Sequence, residues 1–234
     1  MRLENMVTMV TGGGSGLGES MCRRFAEEGA RVIVADIDAA AAGSVAGQIN
    51  EQGGRAEAQV LDVLVNNAGI AILGSAEDAT LVDWRKVNAV NLDAVFLGTR
   101  AAIRAMKDRG GSIINVSSIE GIIGEPLVAA YNASKGGVRV FTKSAALHCA
   151  ANGYGIRVNS LHPGYVMTPL VENAVGGMDA SEAEAFHVRV IGNIPFGRMA
   201  EPREIANGAL FLASAEASYM TGAELVIDGG YTAH

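Results

Sequence analysis

The chain alternates short runs of apolar residues with longer segments in which apolar residues recur at helical spacing. Residues 31–35 read RVIVA, a β-branched run without polar alternation, which is typical of a strand buried on both faces of a parallel sheet. Just before this run, Leu17, Met21 and Phe25 recur at intervals of four residues, which predicts a helix over 16–28. The pattern therefore predicts a helix followed by a buried strand.

The same alternation continues along the rest of the chain. Strands are predicted at 6–10, 63–65, 111–118, 156–161 and 224–227, and helices after Asp36 and at 80–107, 131–151 and 202–213. Strands separated by helices favour parallel pairing through right-handed crossovers. We therefore predict one α/β domain over 1–234, a doubly wound Rossmann fold whose parallel sheet carries helices on both faces.

One region is too short for this fold. Between Asp36 and Asn66 the fold needs a helix, a strand, a second helix and another strand, but after the first helix only AEAQVLDVLV at 56–65 remains. Two parallel strands need a crossover of roughly a dozen residues or more. Either a strand–helix unit is deleted or residues are omitted from the sequence. We favour omission and expect a break of the chain within 59–64.

Charge and cysteine content narrow the class of protein. The net charge of −7 and the absence of a basic run argue against a nucleic-acid partner. No apolar stretch approaches the roughly 18 residues of a membrane span, and residues 1–8 lack the apolar segment of a signal peptide. Cys22 and Cys149 match no metal-ligand spacing and suggest a reduced, cytoplasmic setting. We expect no metal site and no membrane association.

A glycine-rich loop, TGGGSGLG at 11–18, follows a predicted strand and opens a predicted helix. This context is the one that a dinucleotide-binding loop requires. Gly12 allows the tight turn, Gly16 lets the backbone approach a pyrophosphate, and Gly18 lets the helix pack closely on the sheet. The alternative, a glycine-rich turn without a ligand, does not explain why the loop stands between a strand and a helix.

Asp36 ends the second strand, 20 residues after Gly16. A carboxylate at this position accepts hydrogen bonds from ribose hydroxyls and repels a 2′-phosphate, which favours NAD over NADP. The alternative role is a helix cap, which either Asp36 or Asp38 could supply. The two roles are compatible.

Tyr131 and Lys135 lie four positions apart on one face of a predicted helix. A tyrosine hydroxyl with a pKa near 10 is a poor base at neutral pH, and a neighbouring ammonium lowers that pKa. The pair is therefore a candidate general acid and base for carbonyl–alcohol interconversion. Ser118, at a strand end, could hold the substrate oxygen. Taken alone, the pair would be an ordinary helix surface pair and the serine a cap.

Taken together, the TGGGSGLG loop, the NNAG at 66–69, Ser118, Tyr131 with Lys135, and PG at 163–164 resemble the classical short-chain dehydrogenase/reductase family over essentially the whole chain. The resemblance implies an NAD-dependent enzyme that interconverts a secondary alcohol and a ketone by hydride transfer. It makes Tyr131 the acid/base, and Lys135 the residue that lowers its pKa and holds the nicotinamide ribose. Ser118 would orient the substrate carbonyl, and Asn91 would anchor a proton-relay water.

The resemblance also implies the cofactor-binding residues. They are Gly12, Ser15, Gly16, Leu17, Gly18, Asp36, Ile37, Asp62, Asn67, Ala68, Gly69, Tyr131, Lys135, Pro163, Gly164, Val166 and Thr168. Thr168 would bond the carboxamide. The role of Asp62 depends on the expected break: it contacts adenine if the break follows Val63, and it is structural if the break precedes Leu61.

The second half of the chain most resembles bacterial secondary-alcohol and ketone reductases, including (R)-specific alcohol, cyclic-alcohol and hydroxysteroid dehydrogenases. The resemblance implies a small apolar secondary alcohol or ketone as substrate, a homotetramer, and a substrate lid around 169–195. The physiological substrate, its stereochemistry and the preferred direction stay open.

Two other functions are compatible with parts of this pattern. A 3-oxoacyl-thioester (acyl-carrier-protein) reductase usually uses NADPH, and Asp36 argues against it. A non-catalytic dinucleotide-binding scaffold is compatible with the fold. The complete set of Asn91, Ser118, Tyr131 and Lys135 argues against a scaffold, which has no need of all four.

Overall fold

The computed structural model describes residues 1–51, 61–169, 171 and 180–233. Its sheet has six strands in the order β2-β1-β3-β4-β5-β6, and every neighbouring pair is parallel. The strands are β1 Val7–Thr11, β2 Arg31–Ala35, β3 Val63–Asn66, β4 Gly111–Val116, β5 Ile156–Pro163 and β6 Glu224–Ile227. The parallel sheet with intervening helices confirms the predicted Rossmann-type fold.

Helices lie on both faces of the sheet. They are α1 Gly16–Glu27, α2 Ala39–Glu51, α3 Leu81–Asn88, α4 Ala94–Met106, α5 Ala129–Ala151, α6 Ala180–Asn193 and α7 Pro202–Ala213. A π-helical turn, Ala89–Asp93, joins α3 to α4, so the helix predicted over 80–107 is one run with a widened turn inside it. Within the described ranges, no helix is long and apolar enough to cross a membrane.

Two apolar cores separate the sheet from its helices. On one face, α1 and α7 pack on the sheet through residues such as Met21, Phe25, Ile205 and Leu210. On the other face, α4 and α5 pack through residues such as Ala102, Met106, Ala145 and Cys149. Both cysteines are buried and unpaired in these cores.

The connections place a crevice at the carboxyl ends of β1, β3, β4 and β5. The chain leaves β1 toward β2 on one side, whereas it leaves β3 toward β4 on the other. Ligands of doubly wound sheets bind where the strand order reverses in this way. The crevice is therefore the place where the functional residues are expected to meet.

The strand–helix unit that is absent from the sequence between Asp36 and Asn66 has no counterpart in the described part of the sheet. β3 pairs directly with β1, with Thr8 opposite Val63, and β2 has no further strand beside it among the described residues. Residues 61–64 lead straight into β3. Positions 59 and 60 lie outside the described residues, so the break expected within 59–64 stays a prediction there.

An open apolar groove of about 290 Å³ marks where the missing helix would lie. Met9 and Leu64 of the sheet, with Leu61 just before β3, form its floor. Its wall is the face of α4 that carries small residues: Ala94, Gly98, Ala101 and Ala105. A right-handed crossover from a strand beyond β2 to β3 would run in the same direction as the connections through α4 and α5. Its helix would therefore cover this face of the sheet, directly over the groove.

Candidate active site

The glycine-rich loop forms an open cradle at the end of β1. Gly12 and Gly16 have φ of 64° and 54°, a conformation that favours glycine. A Cβ on Gly18 would lie 1.9 Å from the Gly12 carbonyl oxygen, so close packing of α1 on the loop requires glycine there. Ser15 occupies the N-cap position of α1, but its side chain makes no capping hydrogen bond. The loop and the helix N-terminus together suit a phosphate group.

The NNAG segment is tied to this loop. The Asn67 side chain donates to the carbonyl oxygens of Thr11 and Gly12 at 3.0 and 3.3 Å. The backbone N–H groups of Asn67 and Ala68 both donate to the Thr11 hydroxyl, at 3.0 and 3.2 Å. The structure thus brings Asn67 and Ala68, both predicted to bind the cofactor, against the glycine-rich loop.

Asp36 lies against the glycine-rich loop. Its two carboxylate oxygens accept hydrogen bonds from the backbone N–H groups of Gly14 at 2.9 Å and Asp38 at 3.0 Å. The helix cap belongs to Asp38, which accepts from the N–H groups of Ala40 and Ala41 at the start of α2. Asp38 therefore caps α2, and the two hydrogen bonds to Asp36 hold its carboxylate beside the cradle. The neighbouring Ile37 side chain is fully exposed.

Tyr131 and Lys135 project from the first turns of α5. The Lys135 Nζ donates to the Val116 carbonyl oxygen at 2.8 Å and lies 5.5 Å from the centre of the Tyr131 ring. Burial lowers the pKa of Lys135 to about 8. Burial and the nearby Glu120 carboxylate raise the pKa of Tyr131, and a hydrogen bond with the Ser118 side chain partly opposes them.

The pKa of Tyr131 is thus raised overall in this structure, opposite to the lowered value that the sequence predicts, and the effect of Lys135 on it stays a prediction. A phenolate is disfavoured by burial and by the charge of Glu120. The Lys135 ammonium stands over the ring and is engaged with a backbone carbonyl. The sequence spacing predicts the proximity of the two side chains but not the balance of these effects.

Ser118 follows β4 and is held from two sides. Its hydroxyl oxygen accepts from the N–H of Glu120 at 3.2 Å, which leaves the hydroxyl proton able to donate to a substrate oxygen. Its carbonyl oxygen lies 3.0 Å from Nδ1 of buried His162, whose Nε2 lies 2.8 Å from the Ser160 hydroxyl. A carbonyl oxygen can only accept, so Nδ1 carries the proton.

His162 is a functional residue that the sequence interpretation missed. Its ring positions the backbone of Ser118 through the hydrogen bond from Nδ1. Burial lowers its pKa, so the ring is neutral at pH 7. A histidine inside a run of buried strand residues was the available signal, because a buried polar ring requires hydrogen-bond partners.

Asn91 lies in the π-helical turn and holds the segment after NNAG. Its side-chain oxygen accepts from the N–H of Ile70 at 2.8 Å, and its amide donates to the Ile70 carbonyl oxygen at 2.9 Å and to Ser134 at 3.1 Å. A Cβ on Gly69 would lie 3.4 Å from the Lys135 Nζ and 3.5 Å from the Asn91 side-chain oxygen. These three residues therefore meet, and the proton-relay role of Asn91 stays a prediction.

The last four residues predicted to bind the cofactor lead from β5 toward the glycine-rich loop: Pro163, Gly164, Val166 and Thr168. Gly164 donates to the Ile227 carbonyl oxygen at 2.9 Å directly after Pro163, and Val166 forms a bridge with Ala200. Thr168 is buried, and a Cβ on Gly16 would lie 3.6 Å from its Cβ. The two ends of the predicted cofactor site thus adjoin.

Asp62 does not belong to this site. Its side chain accepts from the N–H of Val7 at 2.8 Å and lies 3.7 Å from Arg109. Val7 begins β1, whereas the glycine-rich loop follows the other end of the strand, four residues and roughly 13 Å away. The assignment of Asp62 to cofactor binding is therefore corrected to a structural role.

The segment predicted as a lid lies partly outside the described residues, which include 169, 171 and α6 within 169–195. Phe186 of α6 packs edge-on against Tyr165, with ring centres 6.0 Å apart. Arg189 of α6 forms an ion pair with Glu125 at 2.8 Å. The helix thus packs beside the crevice through one aromatic and one ionic contact.

Comparison with known proteins agrees with this geometry. The family model described as short chain dehydrogenase matches residues 6–63, and the one described as Enoyl-(Acyl carrier protein) reductase matches residues 51–232. The chain is 44% identical to an NADP-dependent (R)-specific alcohol dehydrogenase of Lentilactobacillus kefiri, over 99% of this chain and 98% of the relative. It is 40% identical to a cyclopentanol dehydrogenase of Comamonas sp., over 100% and 99%.

A solved structure shows the same fold. The gluconate 5-dehydrogenase of Burkholderia cenocepacia, in complex with NADP and tartrate, superposes with a TM-score of 0.92 at 32% identity, covering 100% of this chain and 97% of that one. The alignment with the Lentilactobacillus relative has 255 positions, and 255 less the 234 residues of this chain leaves at least 21 positions without a residue here. That deficit matches one missing strand–helix unit.

The Lentilactobacillus and Comamonas relatives are both at least 40% identical to the chain and align with it over nearly their whole length. The chain belongs to the short-chain dehydrogenase/reductase family of oxidoreductases.

Proposed function

We propose that the chain is an NAD(H)-dependent oxidoreductase that interconverts a secondary alcohol and a ketone, with Tyr131 as the acid/base. The observation that carries the proposal is the meeting of Tyr131, Lys135 and Ser118 at the same crevice as the glycine-rich loop. A non-catalytic scaffold that binds a dinucleotide would need only the glycine-rich loop and not these three side chains.

The described residues fit a nicotinamide dinucleotide. The open cradle before α1 offers backbone N–H groups to a pyrophosphate, and a side chain on Gly14 or Gly18 would collide with its surroundings. When bound, the nicotinamide supplies the hydride acceptor or donor. Lys135 would hold the adjoining ribose, and Thr168 would bond the carboxamide.

Asp36 supports NAD as the preferred cofactor. Both of its oxygens are held by backbone N–H groups, so the carboxylate cannot easily turn away from the ribose site. A 2′-phosphate placed there would meet a fixed negative charge. The Lentilactobacillus relative is named as NADP-dependent, so this residue is the point at which we propose that the two proteins differ.

Side chains of the protein can transfer the proton that moves between the alcohol and the ketone. During ketone reduction the Tyr131 phenol gives its proton to the carbonyl oxygen, and during alcohol oxidation the phenolate that remains after loss of that proton to solvent takes the hydroxyl proton. The Ser118 hydroxyl donates to the same oxygen and holds it beside the phenol. Lys135, with its pKa lowered to about 8, carries a positive charge at neutral pH that favours the phenolate as the proton moves.

We propose a small apolar secondary alcohol or ketone as substrate, with cyclic alcohols as the first class to test. The names of the (R)-specific alcohol and cyclopentanol dehydrogenases support this class. Tyr165 and Phe186 add aromatic surface beside the crevice, and we propose that the segment 169–195 covers it during turnover.

We further propose a cytoplasmic homotetramer. Large apolar side chains are exposed on α4 and α5, the longest helices of one face: Phe96, Leu97, Val140 and Leu147. Apolar patches of this kind on a soluble protein support association between copies. Light scattering of the purified protein measures the assembly state.

The test is reduction of NAD⁺ and NADP⁺ with cyclopentanol and acyclic secondary alcohols, followed by nicotinamide absorbance. We expect turnover with NAD⁺, loss of at least about 10²-fold in Tyr131→Phe, and no change in Tyr219→Phe, whose ring is fully exposed. Turnover with NADPH and a 3-oxoacyl thioester alone would instead support the acyl-thioester reductase. Cofactor binding without turnover of either class would support the scaffold.

A further inference from the structure

Ser117 is a buried serine between the last residue of β4 and Ser118. Its backbone N–H donates to the Leu161 carbonyl oxygen of β5 at 2.8 Å. Its hydroxyl donates to the Lys135 carbonyl oxygen of α5, also at 2.8 Å. Ser117 therefore ties the sheet to the helix that carries Tyr131 and Lys135.

Lys135 is held to the end of β4 by its side chain and by its backbone. Its Nζ donates to the Val116 carbonyl oxygen at 2.8 Å, and its own carbonyl oxygen accepts from the neighbouring Ser117. Within an α-helix a carbonyl oxygen accepts from the N–H four residues further on, and its second lone pair can take a side-chain donor. The bond from Ser117 thus adds to the helix and fixes this turn of α5 relative to β4.

The hydrogen bond between Ser117 and Lys135 lies in a closely packed place. A Cβ on Gly121 would lie 2.7 Å from the Lys135 carbonyl oxygen and 2.8 Å from the Ser117 Oγ. Ser117 exposes only 2% of its surface. The space that one hydroxyl leaves is too small for a water molecule to take over its bond. Removal of the Ser117 hydroxyl therefore removes the tie itself.

Ser118 is held independently of α5, because its carbonyl oxygen lies 3.0 Å from Nδ1 of His162 in β5. Tyr131 lies about one helical turn before Lys135 on α5. A shift of this turn of the helix would consequently move Tyr131 while Ser118 stays with the sheet. The hydrogen bond from Ser117 opposes such a shift.

We propose that Ser117 is a positioning residue, which sets the first turns of α5 so that the Tyr131 phenol and the Ser118 hydroxyl meet at the same substrate oxygen. The proposal rests on the proposed function and adds a residue to it. Misplacement of a catalytic group by about 1 Å can cost about 10²-fold in rate. Loss of the Ser117 hydroxyl therefore lowers kcat, whereas the glycine-rich loop belongs to β1 and α1 and keeps the KM for NAD⁺.

The experiment is steady-state kinetics of Ser117→Ala with cyclopentanol and NAD⁺. Ser112→Ala is the matched control: Ser112 is buried toward the other end of β4, and its hydroxyl donates to the Leu212 carbonyl oxygen of α7 at 2.9 Å. Each variant loses one buried hydrogen bond from β4 to a helix. We expect kcat to fall at least about tenfold in Ser117→Ala alone, with the KM for NAD⁺ within about twofold of the wild type. Should Ser117→Ala not fold, Ser117→Cys, whose thiol is a weaker donor, takes its place and the same outcomes decide.

The outcomes separate this proposal from the proposed function. Equal kcat values in Ser117→Ala and Ser112→Ala, or an effect of Ser117→Ala confined to KM, overturn the positioning role while the enzyme still turns over. Absence of turnover in the wild type contradicts the proposed function instead. In that case amide hydrogen exchange of the peptide that contains Tyr131 and Lys135 decides the matter. Exchange at least about threefold faster in Ser117→Ala than in Ser112→Ala supports the proposal, and equal exchange in the two variants overturns it.

Discussion

Asp36 and Asp38 lie two positions apart, but their carboxylates have different roles. Asp38 caps α2, whereas Asp36 is fixed beside the glycine-rich loop. Asp36→Asn keeps a hydrogen-bond acceptor and removes the charge. We expect kcat/KM with NADP⁺ to rise about tenfold or more, because the repulsion of a 2′-phosphate is lost. Asp38→Asn is the matched control and should leave the ratio of NAD⁺ to NADP⁺ unchanged, so equal shifts in both variants would contradict the role given to Asp36.

The buried ring of His162 makes stability depend on pH. Its folded-state pKa lies below the ordinary value of 6.5, so the unfolded chain binds a proton more readily than the native one. This histidine therefore contributes stability above about pH 6.5 that is lost as the pH falls further. We expect urea unfolding to show a smaller loss between pH 7 and pH 5 in His162→Gln than in the wild type. His187→Gln, an exposed change, should follow the wild type. Parallel curves for all three proteins would rule out the effect.

At the scale of elements, two kinds of glycine can be told apart by what surrounds them. Gly18 opens α1 with no room for a Cβ beside the Gly12 carbonyl, whereas Gly47 lies exposed within α2 with nothing within 4 Å of the added atom. We expect Gly18→Ala to destabilise the fold and weaken cofactor binding. Gly47→Ala should stabilise it by about 0.5–1 kcal/mol through helix propensity. Thermal unfolding and NADH fluorescence measure both, and a neutral Gly18→Ala would contradict the packing.

Most elements follow from the sequence because hydrophobic periodicity reports burial directly. β2 and α7 have the predicted bounds, and the Gly-rich loop falls where its strand–turn–helix context predicts. The π-helical turn at Ala89–Asp93 has no sequence signal, because it widens a helix without interrupting the apolar pattern. The pKa direction of Tyr131 depends on the depth of burial and on Glu120, which approaches through tertiary packing. Asp62 could not be assigned while its position relative to the missing unit was open.

For the molecule as a whole, the absence of the strand–helix unit leaves an open groove between α4 and the sheet. The groove exposes apolar floor residues that a helix would cover. Grafting the corresponding unit of the Lentilactobacillus relative immediately before Leu61, ahead of β3, should stabilise the fold by about 2 kcal/mol or more through apolar burial. That corresponds to a rise in Tm of about 4–8 °C.

A flexible Gly/Ser insert of the same length at the same point is the control. It cannot cover the groove, so it should leave the Tm unchanged or lower it slightly through loop entropy. If the graft and the flexible insert change the Tm by the same amount, the missing helix does not pack in the groove.

The proposed reaction is direct hydride transfer between a carbinol carbon and NAD, with Tyr131 moving the proton. The most direct measurement is mass spectrometry of the cofactor after incubation of the protein and NAD⁺ with cyclopentanol deuterated at the carbinol carbon. We expect reduced cofactor that carries one deuterium per turnover, and almost none of it with Tyr131→Phe. Reduced cofactor without deuterium, or undiminished transfer in Tyr131→Phe, would contradict it.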